Sequence, residues 1–439
     1  MCPRVARSSR HILTYFDPRL HASGMTVIDV ERLGSIFCDP LAYADPAGWH
    51  AAASRIRQES PILKVSNPDF PEFWAVTKHA DVMEIERHPE IFTNAPIPVL
   101  APKSMNMDAA TRPMKTLIHM DGEEHKTHRG IVNDWFKPGS VKKLQSRVDE
   151  LAQQSIDQMS ERGGSCDFSN DVALHFPLRV ILSILGLPES DYGMMLKLTQ
   201  ELFGASDPDV SRADDQDMAA VAADFLKYFT ALAADRRTTP TDDLASVIAN
   251  AQIEMARLRD LDTLGHYLII ATAGHDTTSS AISGGLVALI ENPEELELLQ
   301  SHSELIHHAA DELIRYVSPV KHFMRTCQEP FTLRDVTFQT GDHVLLSYAS
   351  ANRDEDVFAD PMRLDVRREN ASSQLAFGFG RHFCLGAHLA RMEIRSLFTE
   401  LLSRVDHIQF AGTPTWIHAH FVQGPKSVPI SYRMRPAAA

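Results

Sequence analysis

Apolar residues recur with a helical period over most of the chain and alternate with a period of two in only a few short places. Helical patterning covers residues 40–60, 79–87, 141–159, 176–185, 191–203, 215–235 and 304–317, with breaks at Gly163-Gly164, Gly186-Leu187-Pro188 and residues 238–241. Two strands, 62–65 and 73–77, flank an Asn-Pro-Asp turn and predict a hairpin; 336–338 and 343–348, flanking Thr340-Gly341-Asp342, predict a second. Residues 93–120 show no clean period and carry Pro96, Pro98, Pro102 and Pro113, a stretch long enough to suggest a functional lid. The dominant element is one long helix over 261–290, ended by Asn292-Pro293. At about 1.5 Å per residue it spans some 45 Å.

The middle of that helix departs from core patterning. Ala273-Gly274-His275-Asp276-Thr277-Thr278-Ser279-Ser280 sets a glycine, an acid and four hydroxyls between Leu268-Ile269-Ile270 and Ala281-Ile282. Hydroxyls that bond back to carbonyls beside a glycine bend helices and open their hydrogen bonds. The bland reading is a polar patch facing solvent, but its flanks are apolar.

A second departure is Phe377-Gly378-Phe379-Gly380-Arg381-His382-Phe383-Cys384-Leu385-Gly386, immediately before the helical run that starts at Ala387. Glycines permit positive φ or close approach, and the helix N-terminus that follows favours negative charge. This is a setting for a thiolate, although a free cysteine is commonly just buried. Asp121 is placed to cap a helix on which His125 and Arg129, four apart, share a face. Such a pair is more often a solvated face than a site.

Composition narrows the classes. A net charge of −15 argues against a general nucleic-acid binder. Five cysteines, widely spaced and without a CxxC pair, suggest neither a disulfide framework nor zinc, and fit a reducing cytoplasm. No uncharged apolar run approaches the roughly 20 residues that span a bilayer. Residues 1–25 carry Arg4, Arg7, Arg10 and Arg19 without an apolar h-region and read as a flexible arm, leaving Met1 and Met25 both open as starts. Residues 26–439 then form a single domain.

The spacing Phe377-x-x-Gly380-x-x-x-Cys384-x-Gly386, with His382, resembles the haem-ligand loop of the cytochrome P-450 family of haem-thiolate monooxygenases. The resemblance extends to Asp276-Thr277, to Glu312 and Arg315, and to a meander with Ala351-Asn352-Arg353-Asp354 and residues 361–368. It implies a mainly α fold with small β-sheets (α+β), with haem b between the long helix and the cysteine helix. Cys384 is the implied iron ligand, and Phe377, Ala273 and Gly386 adjoin the haem. His125, Arg129, Arg325 and His382 meet its propionates. Asp276 and Thr277 are the implied proton-delivering pair. Glu312 and Arg315 form a buried structural ion pair whose third member is Arg367 or Arg368.

Val320-Lys321-His322-Phe323-Met324-Arg325 and residues 421–426 look like the soluble bacterial, terpineol-hydroxylating branch. On that footing Ile97, Val99, Leu100, Val320, Phe323, Phe421 and Val422 form an apolar substrate pocket, suited to a monoterpenoid or an aromatic or alicyclic hydrocarbon. A monomer taking electrons from a ferredoxin is implied, docked near Lys126, Arg129, Arg381 and Arg391. Two other classes share the cofactor: a peroxide-driven peroxygenase, and a haem gas sensor or carrier. The Asp276-Thr277 pair argues against both.

Overall fold

Helices with one apolar face stack around one large core, with two smaller clusters beside it, in the computed structural model, which describes residues 33–105, 114–203 and 215–436. The principal helices are α1 (Pro46–Glu59), α2 (His79–Arg87), α3 (Gly122–Phe136), α4 (Gln145–Ser160), α5 (His175–Leu185), α6 (Tyr192–Phe203) and α7 (Asp215–Thr238). They continue with α8 (Asp260–Ala273), α9 (Asp276–Glu291), α10 (Pro293–Ser301), α11 (Ile306–Val317) and α12 (Ala387–Arg404). The main core joins side chains of α4, α5, α8, α9, α11 and α12. The 1–25 arm and the predicted break over 204–212 lie outside the described residues.

The principal strands are β1 (Ile62–Val65), β2 (Phe73–Val76), β3 (Phe92–Thr93), β4 (Ser165–Asp167), β5 (His322–Cys327), β6 (Phe331–Leu333), β7 (Val336–Phe338), β8 (His343–Ser347), β9 (Val405–Phe410) and β10 (Pro429–Met434). A five-stranded sheet has the order β1-β2-β8-β5-β3, and β10 lies between β9 and β4 in a three-stranded one. The first predicted hairpin forms, with Ile62 opposite Val76. The second does not. Residues 336–338 pair with β6, while β8 pairs antiparallel with β5 and parallel with β2, placing Val344 opposite Trp74. Buried on both faces of the sheet, β8 gains more from two strand partners than from the local turn.

The long helix is two helices. Backbone helicity lapses at Gly274 and His275, and the Thr277 hydroxyl donates to the Ala273 carbonyl at 2.8 Å. A Cβ on Gly274 would lie 2.6 Å from Cδ1 of Ile181, so α5 packs into the break where only a glycine leaves room. Beyond it, α9 is buried along most of its length, and Ser283 donates to the Ser279 carbonyl at 2.8 Å. The break is thus built by packing and by hydroxyl competition together.

Arg368, not the exposed Arg367, completes the buried ion pair. Glu312 accepts from Arg315 at 2.6 and 2.7 Å and from Arg368 Nε at 3.1 Å, and no part of Glu312 or Arg315 is exposed. This cluster fastens α11 to the meander that leads into the cysteine loop.

Candidate active site

Cys384 stands at the end of a tight loop that returns on itself: its N–H donates to the Phe377 carbonyl at 2.8 Å. Gly378 and Gly380 hold φ of +69° and +68°, where a side chain is strained, and a Cβ on Gly380 would lie 2.7 Å from the Glu86 carbonyl oxygen. Gly386 has ordinary φ and serves another purpose, since its N–H and that of Ala387 favour the ionised form of the Cys384 sulfur. Burial pushes the Cys384 thiol up, opposed by those N–H groups and by the Arg129 and Arg391 guanidiniums. The sulfur opens into a cavity whose wall includes Phe377, Leu385, Leu389 and Ala390.

Cationic and imidazole groups converge on the same cavity. His125, Arg129, Arg325 and His382 all line it, as does Asn94. The His125 and His382 rings lie 4.3 Å apart, and burial lowers both pKa values, that of His125 to about 4. Arg129 donates to the Phe383 carbonyl at 2.7 Å. Three partners escaped the sequence reading. Asn94 lies 3.3 Å from His382 Nδ1. Glu86, on α2, accepts from Arg325 at 2.6 Å and from the Tyr348 hydroxyl at 2.8 Å. The third is Asp121, which does not cap α3 through its side chain. It accepts instead from the N–H groups of Asn94 and Ala95 at 2.9 and 2.8 Å and lies 3.3 Å from His382 Nε2. Two peptide donors and an imidazole outbid one helix terminus, so Asp121 ties the start of the proline-rich segment to the cysteine loop.

Thr277 reaches the cavity with Ala273, Gly274 and Thr278, whereas Asp276 sits half-buried behind them. Burial raises the Asp276 carboxyl pKa, countered in part by His275. Val320, Phe323, Phe421 and Val422 line the cavity as expected. Leu117, Ile118, Ile181, Ile269 and Ile270 complete its apolar wall. Ile97, Val99 and Leu100 do not reach it. Leu100 is buried in a separate cluster with Phe37 and Trp49, its backbone held between His322 and His420. Of the four cations assigned to a docking face, two turn inward: Arg129 to the cavity, and Arg391 to Asp311 at 2.8 Å and the Phe377 ring. Lys126 and Arg381 remain exposed, Lys126 beside Glu123.

A cysteine sulfur with peptide donors behind it, cationic groups in the same apolar cavity and a hydroxyl-lined helix break define the class of site: a pocket for a thiolate-ligated cofactor bearing acidic groups. Residues 76–428 match the model of the family described as Cytochrome P450, and the chain belongs to that family. It is 38% identical to cytochrome P450-terp of a Pseudomonas species, covering 90% of this chain and 95% of that one. It is 32% identical to a steroid C26-monooxygenase of Mycolicibacterium smegmatis, covering 86% and 89%. Among solved structures, CYP108D1 of Novosphingobium aromaticivorans matches with a TM-score of 0.85 at 36% identity, over 92% of this chain and 99% of that one. The protein is therefore a haem-thiolate monooxygenase, and the site fits the cofactor: His125 Nδ1 is buried without a hydrogen-bond partner among the described residues, in the cavity that Arg129, Arg325 and His382 also line.

Proposed function

We propose that this chain hydroxylates a small apolar substrate, a monoterpenoid or an aromatic or alicyclic hydrocarbon, using O2 and two electrons from a ferredoxin and its reductase. The observation that carries the reading is the helix break, which brings Thr277 into the cavity that Cys384 also lines, with Asp276 directly behind. Haem held by Cys384 supplies the chemistry that inserts one oxygen atom of O2 into a C–H bond. His125, Arg129, Arg325 and His382 hold its acidic groups. The Thr277 hydroxyl, anchored by donating to the Ala273 carbonyl, is left as an acceptor that orients a hydrogen-bond donor in the cavity. Asp276, whose pKa burial raises, is the acid placed to pass a proton toward Thr277.

Substrate class follows from the wall. No charged side chain reaches the cavity from α8, α9 or residues 421–422, so a charged ligand finds no partner there. The steroid named for one relative is apolar, and CYP268A2 of Mycobacterium marinum, matched with a TM-score of 0.82, was solved with pseudoionone. Electrons enter from an acidic ferredoxin docked at Lys126 and Arg381.

Screening monoterpenoids and compact hydrocarbons for a high-spin spectral shift identifies the ligand. Thr277→Ala is then expected to keep its haem and to divert electrons from product into hydrogen peroxide. Unchanged product per cofactor oxidised in that variant, or turnover with peroxide that exceeds ferredoxin-driven turnover in the parent, refutes the reading.

A further inference from the structure

Between Gly274 and Asp276 lies His275, wholly buried, whose ring makes one hydrogen bond: Nε2 lies 2.8 Å from the Leu174 carbonyl oxygen. A carbonyl only accepts, so Nε2 carries the hydrogen. In the neutral ring Nδ1 is then a bare lone pair, 3.5 Å from Oδ1 of Asp276. Neither Nδ1 nor the buried Asp276 Oδ2 has a hydrogen-bond partner among the described residues. A lone pair facing a carboxylate across that distance is repulsive. The arrangement is favourable only when one proton sits on Nδ1 or on the Asp276 carboxyl.

We propose that His275 is a positioning residue of the proton path: pinned by the Leu174 carbonyl, it shares a single proton with Asp276 and so keeps that carboxyl loaded for delivery toward Thr277. The proposal rests on the reading of Asp276 and Thr277 as the proton supply. In each delivery the bond from the shared proton to Asp276 Oδ or His275 Nδ1 breaks, and an O–H bond forms on the acceptor in the cavity. The emptied pair, left with a bare Nδ1 against a carboxylate, takes a proton back from solvent through Asp276, whose side chain is 17% exposed. No electron moves in this exchange.

The ionisable groups around the pair belong to the elements packed against the break. On α5 and the residues before it these are His175, whose Nδ1 bonds to the Tyr192 hydroxyl, Arg179, stacked over the Tyr192 ring at 5.3 Å, and Asp171; Arg162 also acts on His175. None of these stands between His275 and Asp276. Of these, His175 feels His275 electrostatically, while His275 and Asp276 are the two groups in direct contact, at 3.5 Å.

The test compares holoenzyme variants with the ferredoxin system at several pH values, using whichever hydrocarbon gives the largest high-spin shift. Asp276→Asn is expected to lower kcat and product coupling. His275→Phe keeps the ring volume without a proton site; kcat should fall about tenfold with KM unchanged, and the alkaline limb of the kcat profile should move to lower pH by about one unit. His275→Gln retains an N–H for Leu174 but cannot share a proton, so it should fold and bind haem yet show the same displaced limb. If His275→Gln restores the parent pH profile, the histidine is a packing residue and the proposal falls. Normal coupling in Asp276→Asn instead removes the underlying reading of the proton supply. Impaired Asp276→Asn alongside parent-like His275→Phe overturns the role of His275 alone.

Discussion

Glu312→Ala is the perturbation whose cost is most directly worked from the structure. The Glu312 carboxylate accepts four hydrogen bonds: two from Arg315 at 2.6 and 2.7 Å, one from Arg368 Nε at 3.1 Å and one from the Asp365 N–H at 3.1 Å. Its removal leaves two buried guanidiniums hydrogen-bonded to backbone carbonyls, Asn352, Pro361 and Arg363 for Arg315, which also lies over the Phe358 ring, and Ala359, Asp360 and again Arg363 for Arg368. Carbonyl dipoles hydrogen-bond both cations without cancelling either charge. Removing one partner of a buried ion pair costs about 3–5 kcal/mol, or roughly two to four powers of ten in the folding equilibrium. Because the cluster ties α11 to the meander before Cys384, haem content should fall along with stability. Urea unfolding with a constant m-value measures the first and haem absorbance per protein the second. Glu312→Gln, which keeps an acceptor, should lose less. A Glu312→Ala protein within about 0.5 kcal/mol of the parent and fully loaded with haem would refute the reasoning.

Asp121→Ala should cost about 1–3 kcal/mol by stranding the N–H groups of Asn94 and Ala95, and a urea midpoint equal to the parent's would contradict that role. Gly380→Ala forces a side chain into positive φ at about 1–2 kcal/mol and against the Glu86 carbonyl, so haem uptake should drop; full uptake would show that the loop yields. His266, stacked on His128 with ring nitrogens 3.3 Å apart, has its pKa lowered to about 4, first by burial and then by His128. Its depressed value means that the unfolded chain binds the proton more readily, so stability is full above the ordinary histidine range and is lost as pH falls toward 4. His266→Gln should flatten that part of the denaturation curve, and an unchanged slope would assign the loss to other groups. Charge reversal at Lys126 and Arg381 should raise the KM for ferredoxin and weaken its salt dependence, without altering the high-spin shift.

The residues that carry chemistry were legible wherever a local constraint demanded an unusual pattern. Gly380 and Cys384 sit in one loop whose backbone dictates its glycines, and the hydroxyl run at 277–280 announced that α8 and α9 were not ordinary core. Reading them as one helix failed because the break needs Ile181, a residue nearly a hundred positions away, to fill the space over Gly274. The partner of Arg325 was invisible for the same reason: Glu86 is an unremarkable acid on an amphipathic helix until the sheet brings it within 2.6 Å. Asp121 shows the competition in the other direction. It stands at the N-cap position of α3 as its type suggests, but long-range donors take the side chain and the predicted cap does not form. Leu100 was judged by its apolarity, which serves a core as well as a pocket.

The pairing of β2 with β8 matches Trp74 to Val344, so the sheet joins segments 270 residues apart in the chain. On a ribosome, β1 and β2 emerge long before β8 exists, and they must wait with one edge unpaired. Local helices form early, while long-range strand pairing is slow and leaves edges open to aggregation. Cys384 is made later still. Cofactor capture is therefore a closing event in the life of the nascent chain, after the sheet edges have stood open for most of synthesis.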